Sequence, residues 1–215
     1  MKNQDANINY GNTSDVMDRC PSCGGSSDSH GIPLIRPDKE TIALAKKLQG
    51  ILDGVVKGGL QKGWDPARDT CMVGAATAMI GSRKYTFAAI SGADVGILNH
   101  IQGNQLGKNV TLIKAESALP LMTVEGKPLV MTQPAAWGRN RDYKLGACAA
   151  QKLVMAIFKA RKEAGGKIAK INMAEILWSA PSLGGHNRDW STGSVVCSCD
   201  TCKRVVPRML CDRGD

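Results

Sequence analysis

The sequence predicts an α/β domain, a mixed sheet with helices packed on it. Three observations lead there. Apolar residues at helical spacing, Leu44, Leu48, Ile51, Leu52 and Val55, precede two β-rich segments, 71–80 and 84–90. A Gly81-Ser82-Arg83 turn joins those segments into a hairpin. A second helical stretch, 148–164, then leads into a strand candidate at 168–178, so a helix crosses over between strands.

Residues 1–35 are rich in Asn, Ser, Gly and Asp, lack a periodic apolar face, and read as a flexible leader. Arg36-Pro37-Asp38 opens the first helix, because proline suits its first turn and an acidic side chain there meets unpaired N–H groups. Gly58-Gly59 frays its far end and Gly63 is expected to stop it. Ser91-Gly92 ends the hairpin. Residues 93–146 read as an insertion that shapes a pocket. It holds a short helix near Ile97, a strand at 110–113 and a hairpin turning at Glu125-Gly126-Lys127. Leu153, Val154, Ile157 and Ala160 give the next helix its buried face, and Gly165-Gly166 terminate it. After a polar, glycine-rich loop at 179–193 come a short strand, 194–197, and a short helix opening at Cys199. The expected organisation is one domain, 36–215, carrying the insertion 93–146.

The 43% hydrophobic and 22% charged content is ordinary for a soluble globular protein. No stretch approaches the roughly 18 to 20 apolar residues of a membrane helix, and the opening Met-Lys-Asn-Gln-Asp has no apolar signal region. The net charge of +9 favours a polyanionic partner: nucleic acid, an acidic protein or a membrane surface. The basic runs are short (Lys46-Lys47, 139–141, Lys203-Arg204), so a solvated face accounts for them as readily as a groove.

Four of the eight cysteines form two C-x-x-C pairs, Cys20/Cys23 and Cys199/Cys202. That spacing points to metal or redox chemistry and a reducing compartment rather than a disulfide framework. Cys148 stands at one predicted helix start, Cys199 and Cys202 at another. A helix N-terminus offers unpaired N–H groups and the positive end of its dipole, which favour thiolate. Three such sulfurs around one zinc ion leave a fourth position for water, as catalytic zinc sites do. The other reading joins Cys20/Cys23, a candidate second metal site, to Cys199/Cys202 in a closed four-cysteine site. That would be a zinc-stapled module that recognises nucleic acid or protein. Cys71, Cys197 and Cys211 read as buried thiols.

Gly146-Ala147-Cys148-Ala149-Ala150-Gln151-Lys152-Leu153 resembles the C-A-E signature that opens a helix in the cytidine-deaminase-like superfamily. Cys199-Asp200-Thr201-Cys202 resembles the second signature, about fifty residues on. The resemblance covers roughly 37–211 and is nearest to the nucleobase deaminases of bacterial polymorphic toxins. It implies a zinc site held at two helix N-termini by Cys148, Cys199 and Cys202, and hydrolytic conversion of cytosine to uracil. It also implies a nucleic-acid substrate, DNA ahead of RNA, with a free nucleoside as the alternative. An immunity protein as partner and a delivered effector acting in the target-cell cytoplasm follow from the same likeness; otherwise the chain is cytoplasmic.

The chain departs from the family pattern in two places. Ala150 stands where the family has its proton-shuttling glutamate, and Cys197-Ser198 replaces the usual Ser-Pro. Without that carboxylate the chain is expected to bind zinc yet turn over negligibly, since general acid–base assistance is worth about 10²–10⁴-fold. A Glu-to-Ala replacement silencing a toxic enzyme and a natural pseudoenzyme both account for Ala150. Trp137, Trp178, His186 and Trp190 flank the two signatures and could stack on a base, ordinary packing being the plain alternative. Arg139, Asn140 and Arg141 could touch phosphate or simply be solvated. Ser91 and Gly92 face the nucleoside by fold analogy.

Overall fold

A computed structural model describes residues 23–25, 35–59, 70–92, 96–115, 117–129, 145–179, 191–196 and 199–212. The protein is an α/β domain built on a four-stranded mixed sheet. Its strands are β1 (Thr70–Ile80), β2 (Arg83–Ile90), β3 (Val110–Ile113) and β4 (Ile168–Ser179), in the order β3-β2-β1-β4. β1 pairs antiparallel with β2 and β4, and β3 lies parallel to β2. The two-residue hairpin loop turns at Gly81, whose φ of 57° suits a residue without a Cβ.

Period-two alternation divides the sheet's side chains between its faces. Val73, Ala75, Ala88, Ile90, Ile176 and Trp178 form one core with helix α1 (Lys39–Lys57). Ala76, Ala78, Phe87, Ile171 and Met173 form the other, with helices α3 (Ala149–Ala164) and α4 (Asp200–Met209). One expected insertion element, the turn of helix near Ile97, is a 3-10 turn at Gly96–His100; it and the four-residue helix α2 (Gly103–Leu106), which the sequence reading did not include, pack on the α1 side.

Several boundaries differ from the sequence reading. α1 is capped by Gly58, so it stops before Gly63, because the Gly58 N–H already closes on the Gly54 carbonyl. Ile35, read as the leader's last residue, is fully buried in the α3-side core, and Arg36 bridges to Asn172 of β4. Residues 110–113 are a strand of the main sheet and not merely part of a pocket-shaping insert. The turn at Glu125-Gly126-Lys127 is present: Met122 and Pro128 bridge across it, and Thr123 N–H donates to the Lys127 carbonyl. The strand expected at 194–197 reduces, among its described residues, to a bridge between Val195 and Ile176.

Candidate metal centre

Glycine chemistry delivers the first sulfur. Gly146 has a φ of 84°, and a Cβ there would sit 2.9 Å from the Ser117 carbonyl oxygen, so this left-handed corner accepts only glycine. The chain then straightens at Cys148, the N-cap of α3. Cys199 is the N-cap of α4, and its Sγ accepts from the Cys202 N–H at 3.4 Å. In this position the sulfur takes the place of the usual serine or aspartate oxygen.

The two helix starts converge. The Cys148 and Cys199 sulfurs lie 3.9 Å apart, and the sulfurs of Cys148, Cys199 and Cys202 all lie within 4.8 Å of one another. Two thiolates on a tetrahedral zinc, each bonded at about 2.3 Å, stand about 3.8 Å apart. The donor set therefore fits a thiophilic ion such as zinc. Cys148 and Cys202 are buried while Cys199 keeps partial exposure.

Charge is shared unequally among the thiols. Hydrogen bonds from Cys148 and then Cys202 pull the Cys199 thiol down to about 3. The same hydrogen bonding pushes Cys148 and Cys202 up, Cys148 through Cys199 and Cys202 through Cys148 first.

Three buried polar residues surround this trio, and sequence reasoning missed all of them. Gln151 accepts from the Gly146 N–H at 2.7 Å and points its Nε2 at the Cys202 Sγ, 3.6 Å away. Lys152 donates to the carbonyls of Ile90 (2.8 Å) and Gly92 (2.9 Å), binding α3 to the end of β2. Glu175, on β4, accepts from the Ala150 N–H at 3.0 Å and is 4% exposed. Burial foremost, then the Cys199 charge, push its carboxyl up to about 8, against the pull of that N–H. The available signal was a polar run, Gln151-Lys152, on an otherwise apolar helix, and a glutamate amid strand residues.

The other candidate residues divide. Gly92 N–H donates to the carbonyl of Ala147, which brings the end of β2 beside Cys148. Ser91 accepts the Met72 N–H on its hydroxyl. Ala150 is fully buried on the first turn of α3. Trp178 is a core residue rather than a base-stacking surface. It is fully buried on the α1 face, across the sheet from the sulfurs, with its indole N–H on Asp53 at 2.7 Å. Cys71 is half-buried against that same core, and Cys211 is buried. Cys23 is half-buried and belongs to no metal-binding group among the described residues. Cys20, Trp137, Arg139, Asn140, Arg141, His186, Trp190 and Cys197 lie outside the described residues.

Comparison with protein-family models, curated proteins and solved structures finds no match. No helix among the described residues is long and apolar enough to cross a membrane.

Proposed function

We propose that the chain is a zinc-dependent hydrolytic deaminase with a cytidine-deaminase-like fold, acting on cytosine in nucleic acid. The observation that carries this reading is the convergence of Cys148, Cys199 and Cys202 from two helix N-termini. The order of elements supports it: helix, hairpin, ligand-bearing helix, strand, ligand-bearing helix. So does the contact between Gly92 and Ala147, which sets the strand end expected to face a nucleoside beside the first ligand.

Cys148, Cys199 and Cys202 would hold the ion, and Gln151 would orient the Cys202 sulfur from outside. Bound zinc would supply Lewis-acid activation of water near neutral pH. The charge of +9 favours a polynucleotide over a free nucleoside and would also suit an acidic immunity protein; DNA ahead of RNA follows from the resemblance alone. The chain would then be an effector delivered into a target-cell cytoplasm. Ala150 favours a second reading, a non-catalytic zinc module recognising nucleic acid or protein, because the carboxylate that the family places there is missing.

The test is exposure of a mixed DNA and RNA oligonucleotide pool to the zinc-loaded chain and to Ala150→Glu, followed by sequencing for C-to-U and A-to-I changes. Conversion by either protein supports the enzyme. Silence from both, with zinc bound, leaves the non-catalytic module. Activity on free cytidine that ignores oligonucleotide length and salt would move the substrate to the nucleoside.

A further inference from the structure

We propose that Glu175 is the proton-carrying carboxyl of this centre, delivered from β4 to the place where Ala150 provides none. The proposal rests on the deaminase reading of the same site. It reverses the expectation that the chain is silent as it stands.

Glu175 is fastened to both ligand-bearing segments. Its carboxyl takes the backbone N–H of residue 150 itself, two positions after Cys148. Its own carbonyl accepts from the Val196 N–H at 2.9 Å, three positions before Cys199. The carboxyl oxygens are not in the group of ligand atoms that could hold the ion, and the bond to the Ala150 N–H keeps them on the first turn of α3, whose N-cap is Cys148.

Space for it is cut from both sides. Gly74 lies directly across the β1–β4 pairing from Glu175. A Cβ on Gly74 would stand 3.6 Å from the Glu175 Cγ, 3.1 Å from the Ala149 Cβ and 2.9 Å from a Leu153 methyl. Ala149 and Ala150 keep the facing helix turn small. Burying a carboxyl is costly, and an apolar residue would pack here without that cost. A buried carboxyl held on the first turn of the Cys148 helix, where an apolar side chain would also fit, points to a chemical use.

The chemistry balances without another reagent. As water adds its oxygen to the amine-bearing ring carbon, Glu175, starting as the carboxylate, takes one proton and gives it to the adjacent ring nitrogen. It then takes the proton of the new hydroxyl and gives it to the amine. The carbon–nitrogen bond breaks, ammonia leaves, the carbonyl forms, and Glu175 ends as it began.

The experiment compares the wild-type chain, Glu175→Gln, Glu175→Asp and Ala150→Glu, each loaded with zinc and checked for metal content and fold. The expected result is conversion by wild type, a loss of about 10²–10⁴-fold in Glu175→Gln, and partial recovery in Glu175→Asp. A binding readout stands apart from turnover: a short single-stranded oligonucleotide with one 2-pyrimidinone in place of cytosine, which has no amine to lose. Wild type binds it more tightly than the cytosine oligonucleotide, as transition-state mimics bind. Glu175→Gln loses that excess while keeping its affinity for a non-target oligonucleotide. Unchanged rate and preference in Glu175→Gln overturn the proposal. A silent wild type with an active Ala150→Glu also overturns it, yet leaves the deaminase reading standing. Silence from all four proteins removes both.

Discussion

The Gln151 amide reaches the Cys202 sulfur across 3.6 Å, joining the first turn of α3 to the first turn of α4. Its oxygen is held in turn by the Gly146 N–H. A donor fixed in this way steadies a metal-bound thiolate, and such outer partners are worth about 10- to 100-fold in metal affinity. Gln151→Leu is therefore expected to weaken zinc binding by that factor with the fold retained. Competition against a chromophoric chelator measures it, and an unchanged affinity would make Gln151 a packing residue.

Metal stoichiometry separates the two cysteine arrangements. Cys148→Ser, Cys199→Ser and Cys202→Ser should each abolish tight binding of the one expected ion, since these three sulfurs share one pocket. Cys23→Ser should keep it. Elemental analysis of purified protein reads this directly, and loss of the ion with Cys23 but not with Cys148 would instead favour the four-cysteine module.

At Gly74 the first turn of α3 packs directly on the sheet. An added methyl would meet the Leu153 side chain at 2.9 Å and Ala149 at 3.1 Å, and both belong to a packed core with no slack on the strand side. Gly74→Ala should destabilise the protein by about 1–3 kcal/mol, as overpacking does. Thermal melting of the two proteins, with and without zinc, checks the size. A Tm equal to wild type would mean that α3 moves freely off the sheet.

Asp38 caps α1 and ties it to β4. Its carboxylate accepts from the Thr41 N–H at 2.8 Å and from the Asn172 side chain, while Thr41 returns a bond to the Asp38 N–H. Burial pulls its carboxyl up, but the Thr41 and Asn172 hydrogen bonds and the Lys170 charge outweigh that and hold it below the usual 3.8. A depressed carboxyl stabilises the fold above its unfolded value, and that contribution is lost as pH falls through the folded one. Asp38→Ala should cost about 1 kcal/mol near neutral pH. Denaturant titrations should show the gap from wild type closing below about pH 4.

The sheet's hairpin, α1 and α3 were legible because each repeats a clean period and ends on glycine or a capping residue. The cysteine trio was legible too, since residues at helix starts three apart leave few ways to point. What escaped was set by pairing across the chain. From sequence Trp178 reads either as a base-stacking candidate or as ordinary packing, until the strand's alternation turns it onto α1 and Asp53. The partners of Gln151, Lys152 and Glu175 lie 5, 62 and 25 residues away along the chain, and at the longer separations no local pattern announces them.

The outer margin of β4 is covered by the chain's own backbone. Arg36 accepts from Met173, Ser194 accepts from Leu177, and Val196 donates to Glu175. The stretch that seals this margin runs on within three residues to Cys199, so the ion's anchor also tethers the seal. A bare strand rim is adhesive. Stripping a bound ion should thus do more than remove a ligand: it should loosen that seal and free the rim to pair with other copies of the chain, strand against strand.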